Sequence, residues 1–430
     1  MGLVSTVLDR EATGTPAVRD RASVRRQIKL VVTFGIVSVL LLYFALSIEN
    51  DTVGYVLDTT RGDLPAKPVV WTSVAIALVM TALAGIGRFP RGGLAMVGYV
   101  VVGLAFYAGF IVWAYSDQAE AGFQSAIANP LPGTIRIATP LILGALAGVL
   151  CERSGVINIA IEGQFLMGAF FASVAASLAF SAYMGLVGAI LAGVAVSALL
   201  AVFSLRYLVN QVVLGVVLIA LASGLTSFLL SQIPGDPEIQ QYLNEPPVLD
   251  NIAVPVLSEL PVVGEALFDQ TVLVYLMYAS IVFVYVLLFQ TRWGLRVRAV
   301  GEHPKAADTV GIKVNRVRWQ AVLLGGVFAG LGGAFFTVGS TGAFDRDLSA
   351  GNGFIALAAV IMGRWHPIGA TMAALFFGFM WNLQSQLSFV DKIPGQLLGA
   401  TPYLATIIAV AGFVGRNRPP AADGEPYVKS

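Results

Sequence analysis

Charge is scarce in this chain of 430 residues: 12% of them are Asp, Glu, Lys or Arg, about half the share of an ordinary soluble domain. Hydrophobic residues reach 57%, and whole stretches of about 20 residues carry no charge, the length that crosses a hydrocarbon core. A water-soluble globular enzyme is thereby excluded. Cysteine is nearly absent: Cys151 stands alone, so neither an internal disulfide nor a cysteine metal cluster can form. The two histidines, His303 and His366, lie far apart and each precedes a proline, which excludes a His-Glu-x-x-His zinc helix. None of the six lysines follows a glycine, so no Gly-Lys-Ser/Thr loop cradles a nucleotide phosphate. We expect no catalytic residues, no metal and no cofactor. The net charge of +1 gives no ground for a nucleic-acid partner.

What the chain has is apolar runs, at 30–48, 69–86, 94–115, 134–150, 156–179, 181–205, 211–231, 271–290, 319–340, 352–363, 367–387 and 402–415. The expected fold class is all-α: a polytopic helical membrane protein of about 10–12 segments, some broken or re-entrant. The run 352–363 is short for a span, since twelve helical residues reach only about 18 Å. The mixed-charge stretch before Leu30 is too long for a signal-peptide start, so the first run reads as a retained anchor.

Basic residues set the orientation. With the N-terminus inside, 21 of the 26 Lys and Arg fall on the cytoplasmic side, seven of them between Arg292 and Arg318. Both termini are expected in the cytoplasm. The stretch from Ser231 to Gln270 holds seven acids and no Lys or Arg, which suits an exterior loop, either merely solvated or a docking surface. Small residues recur every four positions at Gly144 and Gly148, at Gly185, Ala189 and Gly193, and at Gly326 and Gly330. Such stripes let helix backbones approach closely in a membrane.

Three segments carry more information. In the first, Gly301, Glu302, His303, Pro304, Lys305, Ala306 and Ala307 lead to Gly311 inside the basic loop. Proline suits the first position of a helix and glycine the residue beyond its end, so the frame describes a helix of two turns at most. It is either a stray turn in a positive loop or an element that docks into a cytoplasmic protein. In the second, Glu152-Arg153-Ser154-Gly155-Val156-Ile157-Asn158-Ile159-Ala160-Ile161-Glu162-Gly163-Gln164 runs into an apolar span. Asn158 and Glu162 are four apart and would share a helix face. A carboxylate within a span faces a cavity or a partner. Glu162, Asn158 and Gln164 are thus candidates either for lining a solute path or for latching a helix break near Gly163, Glu162 by bonding backbone N–H groups or pairing with Arg153. The third, Gly353-Phe354-Ile355-Ala356-Leu357-Ala358 through Gly363-Arg364-Trp365-His366-Pro367, is a short apolar piece bracketed by glycine and proline. Paired interrupted segments are the sequence pointer to a transporter site.

Together the three segments resemble the membrane permeases of ATP-binding-cassette importers for simple sugars, nucleosides and branched-chain amino acids, most nearly the bacterial nucleoside permeases. The second segment is similar to that family's E-R-S-G-V-x-N-I-G-x-E-G, with Ala160 in place of the usual glycine. The first is similar to its G-E-N-P-x-A-A coupling segment, with His303 in place of asparagine. The resemblance implies a solute path for a nucleoside or related small polar solute, in a bacterial cell membrane, with no ATPase site of its own. It implies a cytoplasmic ABC ATPase subunit seated on the coupling residues 301–307 and Gly311, a second and different permease subunit, and an external solute-binding lipoprotein. The expected division is a tail over 1–29, an extension with three spans over 30–133, a permease core over 134–415 with its coupling loop at 291–319, and a second tail over 416–430. A sugar permease and an ion-coupled secondary transporter are the alternatives.

Overall fold

The computed structural model describes residues 21–57, 60–90, 93–116, 127–233, 236–388, 390, 396–397, 399–400 and 418–428. They fall into two units, one drawn from 1–128 and 389–393, the other from 129–388 and 394–430. Among the described residues, nine helices are long and apolar enough to cross a membrane, and the chain is a polytopic helical membrane protein. The expected run 402–415 lies outside the described residues.

In the smaller unit, α1 (Arg21–Ser47), α2 (Ala66–Gly85) and α3 (Gly93–Tyr115) pack together. The strands β1 (Thr52–Leu57) and β2 (Thr60–Pro65) form an antiparallel hairpin, and β3 (Ile127–Ala128) pairs parallel to β1. Three helices this apolar leave apolar faces outward, with Leu94 and Leu104 exposed on α3, as lipid contact allows. Aromatic packing joins α1 to α3, including a stacked Phe44–Trp113 pair at 4.5 Å, and a Ser38–Thr81 hydroxyl bond at 3.1 Å joins α1 to α2.

The larger unit is built around α4 (Pro130–Glu152), buried along nearly its whole length. Asn129 caps it by accepting from the Leu131 N–H, and Pro130 takes the first turn, where a missing N–H costs nothing. Around it stand α5 (Ile161–Ala179), α6 (Ala182–Ala201) with a π-helical turn at Val202–Arg206, and α7 (Gln211–Ser231). The acidic loop carries the short helices α8 (Pro237–Leu243) and α9 (Gly264–Phe268), and a hairpin of β4 (Asn251–Ala253) with β5 (Asp269–Thr271). Then follow α10 (Val272–Gln290), α11 (Arg292–Glu302), α12 (Pro304–Thr309) and α13 (Val314–Ala334), the last extended by a π-helical turn at Thr337–Thr341. Next come α14 (Asn352–Met362) and α15 (Pro367–Leu387), and residues 396–397 and 399–400 are helical too.

The small-residue stripes are seams. A Cβ on Gly193 would stand 2.3 Å from the Gly326 carbonyl oxygen, and one on Gly330 would stand 2.2 Å from that of Ala189. The stripes of α6 and α13 therefore face each other at backbone contact, where dispersion does the work that hydrophobic burial cannot do in lipid. The α4 stripe faces α14, with Gly144 against Ala356 and Gly148 against Val360.

One expected span is shorter than the apolar run suggested. Residues 156–160 are not helical, and α5 begins only at Ile161. The break is the link 153–160, which starts with a turn through Gly155 at φ +86°. The break thus ends three positions before Gly163, near which it was expected, and Gly163 packs in the first turn of α5 on the Leu218 carbonyl of α7.

Candidate functional site

The three sequence segments converge. Glu162, in the first turn of α5 and 6% exposed, accepts three hydrogen bonds from the residues that open α14. Its Oε1 takes the Ser349 hydroxyl at 2.6 Å and the Gly351 N–H at 2.8 Å, and its Oε2 takes the Gly353 N–H at 2.6 Å. The first N–H groups of a helix have no partner within it, and its N-terminus favours negative charge. Glu162 supplies both needs for α14. The approach is close enough to demand glycine, because a Cβ on Gly353 would lie 2.4 Å from the Glu162 backbone nitrogen.

Asn158 does not share a helix face with Glu162, because it precedes α5 within the non-helical link. Its Nδ2 donates to the Gln164 Oε1 at 3.1 Å, and Gln164 Nε2 donates to the Ser197 hydroxyl of α6 at 2.8 Å. All three are fully buried. This chain ties the link to α5 and α6, so Asn158 and Gln164 bond to protein groups. Nor does Glu162 meet Arg153, whose Nε donates to the Trp365 carbonyl at 2.7 Å.

The far end of the link gathers the other segments. The Trp365 indole donates to the buried Glu152 carboxylate. Arg364 and Trp365 both adopt positive φ, at 56° and 53°, a conformation costly outside glycine that persists where its surroundings over-determine it. Glu152 and Arg153 supply that fixing. Gly301, at the end of α11, is pressed on the same link, with its absent Cβ 2.2 Å from the Arg153 carbonyl oxygen. Burial lowers the Arg153 pKa, and the Glu302 charge partly restores it. Burial, then the Arg153 charge, lowers that of His366.

The 301–311 segment sorts by exposure. Gly301 and Ala307 are buried and Pro304 is half-buried, whereas Glu302, His303, Lys305, Ala306 and Gly311 are exposed. The helix α12 is short, and it closes with Gly311 at φ +85° and an Ile312 N–H bond to the Ala307 carbonyl. Its order comes from Ala307, which packs into the core cluster.

Two partners escaped sequence reasoning. Residues 418–428 pack on this assembly: the Ala422 N–H donates to the Gly301 carbonyl at 2.9 Å, and the Ala421 N–H to Glu302 Oε2 at 3.2 Å. Arg318, fully buried in the first turns of α13, donates from Nε to the Ser154 carbonyl at 3.1 Å and from Nη1 to that of Glu425 at 2.8 Å. Sequence reasoning counted Arg318 only among the cytoplasmic cations. Its position next to Trp319, where the apolar run begins, was the available signal. Burial raises the Asp423 pKa, with the Arg318 charge opposing.

Residues 132–413 match the family described as the permease component of branched-chain amino acid transport systems. The chain is 40% identical over 310 residues to the guanosine ABC transporter permease protein NupQ of Bacillus subtilis, covering 70% of this chain and 96% of that protein. It is 40% identical over 304 residues to the nucleoside ABC transporter permease protein NupC of Lactococcus lactis, covering 68% and 94%. A putative glucose ABC transporter permease protein of Haloferax volcanii, TsgC13, is 34% identical over 314 residues, covering 68% and 94%. No solved structure matches the chain. A family match that spans all three converging segments, with relatives covered almost end to end, makes this chain a member of the branched-chain amino acid transport system permease family.

Proposed function

We propose that this chain is the permease subunit of an ATP-binding-cassette importer for nucleosides. The observation that carries the reading is that the segment 152–164 meets both of the others, Glu162 binding the N-terminus of α14 and Arg153 meeting Gly301, in a chain similar to nucleoside permeases over most of its length. The exposed residues Glu302, His303, Lys305, Ala306 and Gly311 seat a separate ATPase subunit. Gly301 holds that face onto the link and Ala307 anchors it in the core, so a push on α12 reaches Arg153 and the breaks that begin α5 and α14.

In this reading the chain supplies no ATPase site. ATP binding and hydrolysis on the partner bias the permease between states with different contacts. Glu162, Asn158 and Gln164 latch the helix break beside the solute path. A second, different permease completes that path, and an external solute-binding lipoprotein delivers the nucleoside to the acidic 231–270 side. Both termini lie in the cytoplasm of a bacterial cell, and the tail at 418–428 meets the coupling segment there. Residues 30–133 form an extension to a core that runs over 134–415.

A sugar is the second reading, favoured by the 34% identity to a putative glucose permease. The experiment that separates them is a ligand screen of the solute-binding protein that co-purifies with this chain, against nucleosides, pentoses and hexoses. Nucleoside binding with displacement by no sugar supports the proposal. Sugar binding alone overturns the nucleoside assignment and leaves the permease reading standing.

A further inference from the structure

A cavity of about 400 Å³ opens between α11 and the start of α13, lined by Trp293, Arg296, Gly311, Lys313, Arg316 and Gln320 among others. Arg296, Lys313 and Arg316 are all exposed and carry their charges around it. Among the described residues, none of the three has a carboxylate within ion-pair distance. Three uncompensated cations around a concave site form a receptor for an anion of more than one charged oxygen.

The depth of the cavity says which anion. Trp293 stands three positions past the end of α10 at Gln290, and Gln320 stands one position after Trp319, where the apolar run of α13 begins. The Trp293 indole donates to Gln320 Oε1 at 3.0 Å, closing one wall of the cavity. Both walls therefore leave the hydrocarbon within about a turn of the site. Tryptophan with an apolar body and a bonded N–H is the residue of the headgroup layer. Val310, in the cavity's own lining, is 75% exposed. An apolar side chain beside the cations suits an occupant with a phosphate at one end and acyl chains at the other.

We infer that this cavity binds the phosphate of an anionic phospholipid from the adjoining leaflet. The lipid then wedges α11 against α13, with Gly311 on the rim of the same cavity, so its headgroup borders the short helix α12. The inference does not depend on which solute the protein carries or on what docks at α12. It needs only that α10 and α13 cross the membrane. Juxtamembrane cations each give roughly a fivefold preference for an anionic surface, so three acting independently multiply to roughly a hundredfold, and salt screening still leaves at least about tenfold.

The test uses the intact assembly purified through a tag on this chain and exchanged into nanodiscs of equal parts phosphatidylglycerol and phosphatidylcholine. Lipid retained on the released chain is read by native mass spectrometry. Wild type is expected to retain phosphatidylglycerol over phosphatidylcholine by about tenfold or more. The combined R296Q, K313Q and R316Q variant is expected to lose the preference, while the charge-keeping R296K and R316K pair keeps it. Each single Gln substitution lowers the preference by about fivefold, which serves if the combined variant fails to assemble. Equal retention of the two lipids by wild type, or a preference untouched by any of these substitutions, overturns the assignment. So does inorganic phosphate displacing phosphatidylglycerol at equal concentration, which identifies a free-phosphate site.

Discussion

The Gly353 N–H donates a 2.6 Å hydrogen bond to Glu162 Oε2 across 191 residues of chain. That bond joins the first turns of two interrupted helices, α5 and α14, through a single carboxylate that also accepts from Ser349 and Gly351. A charge within a span is expensive unless hydrogen bonds to both of its oxygens compensate it. Three donors on two oxygens meet that condition here.

Glu162→Gln removes the charge and turns an NH2 group toward at least one of these donors. Hydrogen bonds to an ionised group contribute about 1.5–3 kcal/mol each, so the purified protein should melt at a clearly lower temperature and give less folded material. Thermal unfolding followed by intrinsic fluorescence checks this. Unchanged melting accompanied by altered solute selectivity would instead make Glu162 a solute contact.

Gly353→Ala places a methyl group where the Glu162 backbone already stands at 2.4 Å. Overpacking against backbone should cost at least about 2 kcal/mol and part the two helix starts. Gly224→Ala, where nothing lies within 4 Å of the added carbon, is the matched control and should leave folded yield unchanged in size-exclusion profiles.

Arg318→Gln deletes two charge-assisted bonds, to Ser154 and Glu425. The 418–428 tail should lose protection in hydrogen exchange, and the link 153–156 should exchange faster with it. Protection lost in the tail alone would mean that Arg318 serves the tail and leaves the link to other contacts.

The docked tail should loosen as pH rises. Burial raises the Asp423 pKa above the ordinary carboxylate range, against the opposing pull of Arg318 and beside the buried Glu152. The docked state therefore holds a proton that the released tail gives up. Docking is fully favourable below the ordinary carboxylate range and weakens as pH climbs from there through the raised value. Limited proteolysis at the tail should accelerate over that window, and Asp423→Asn should flatten the profile.

Much of this was legible in the residues. Gly185, Ala189 and Gly193, and likewise Gly326 and Gly330, announce seams because four-residue spacing of small side chains has one use in a membrane helix. Glu162 stood out because charge is scarce. Its partners did not, since Gly351 and Gly353 act through backbone N–H groups, which every residue but proline carries. The start of α5 was misplaced because Val156, Ile157, Ile159 and Ala160 continue an apolar run while their backbone is not helical. Hydropathy reads burial, and this link is buried in protein, where irregular backbone is tolerated. The tail at 418–428 was unreadable for a related reason: besides the Glu302 carboxylate, its docking runs through carbonyls of Gly301 and Glu425 that no side-chain pattern reports.

The central claim is that motion of an ATPase enters this chain through α12. The direct measurement is ATP-driven nucleoside uptake by the whole assembly in proteoliposomes, comparing wild type with Ala306→Trp, a change at an exposed position that leaves the packing of Gly301 and Ala307 untouched. The account predicts normal insertion and assembly of the permease with uptake at background and ATP hydrolysis no longer stimulated by solute. Uptake and stimulated hydrolysis at wild-type levels would contradict it.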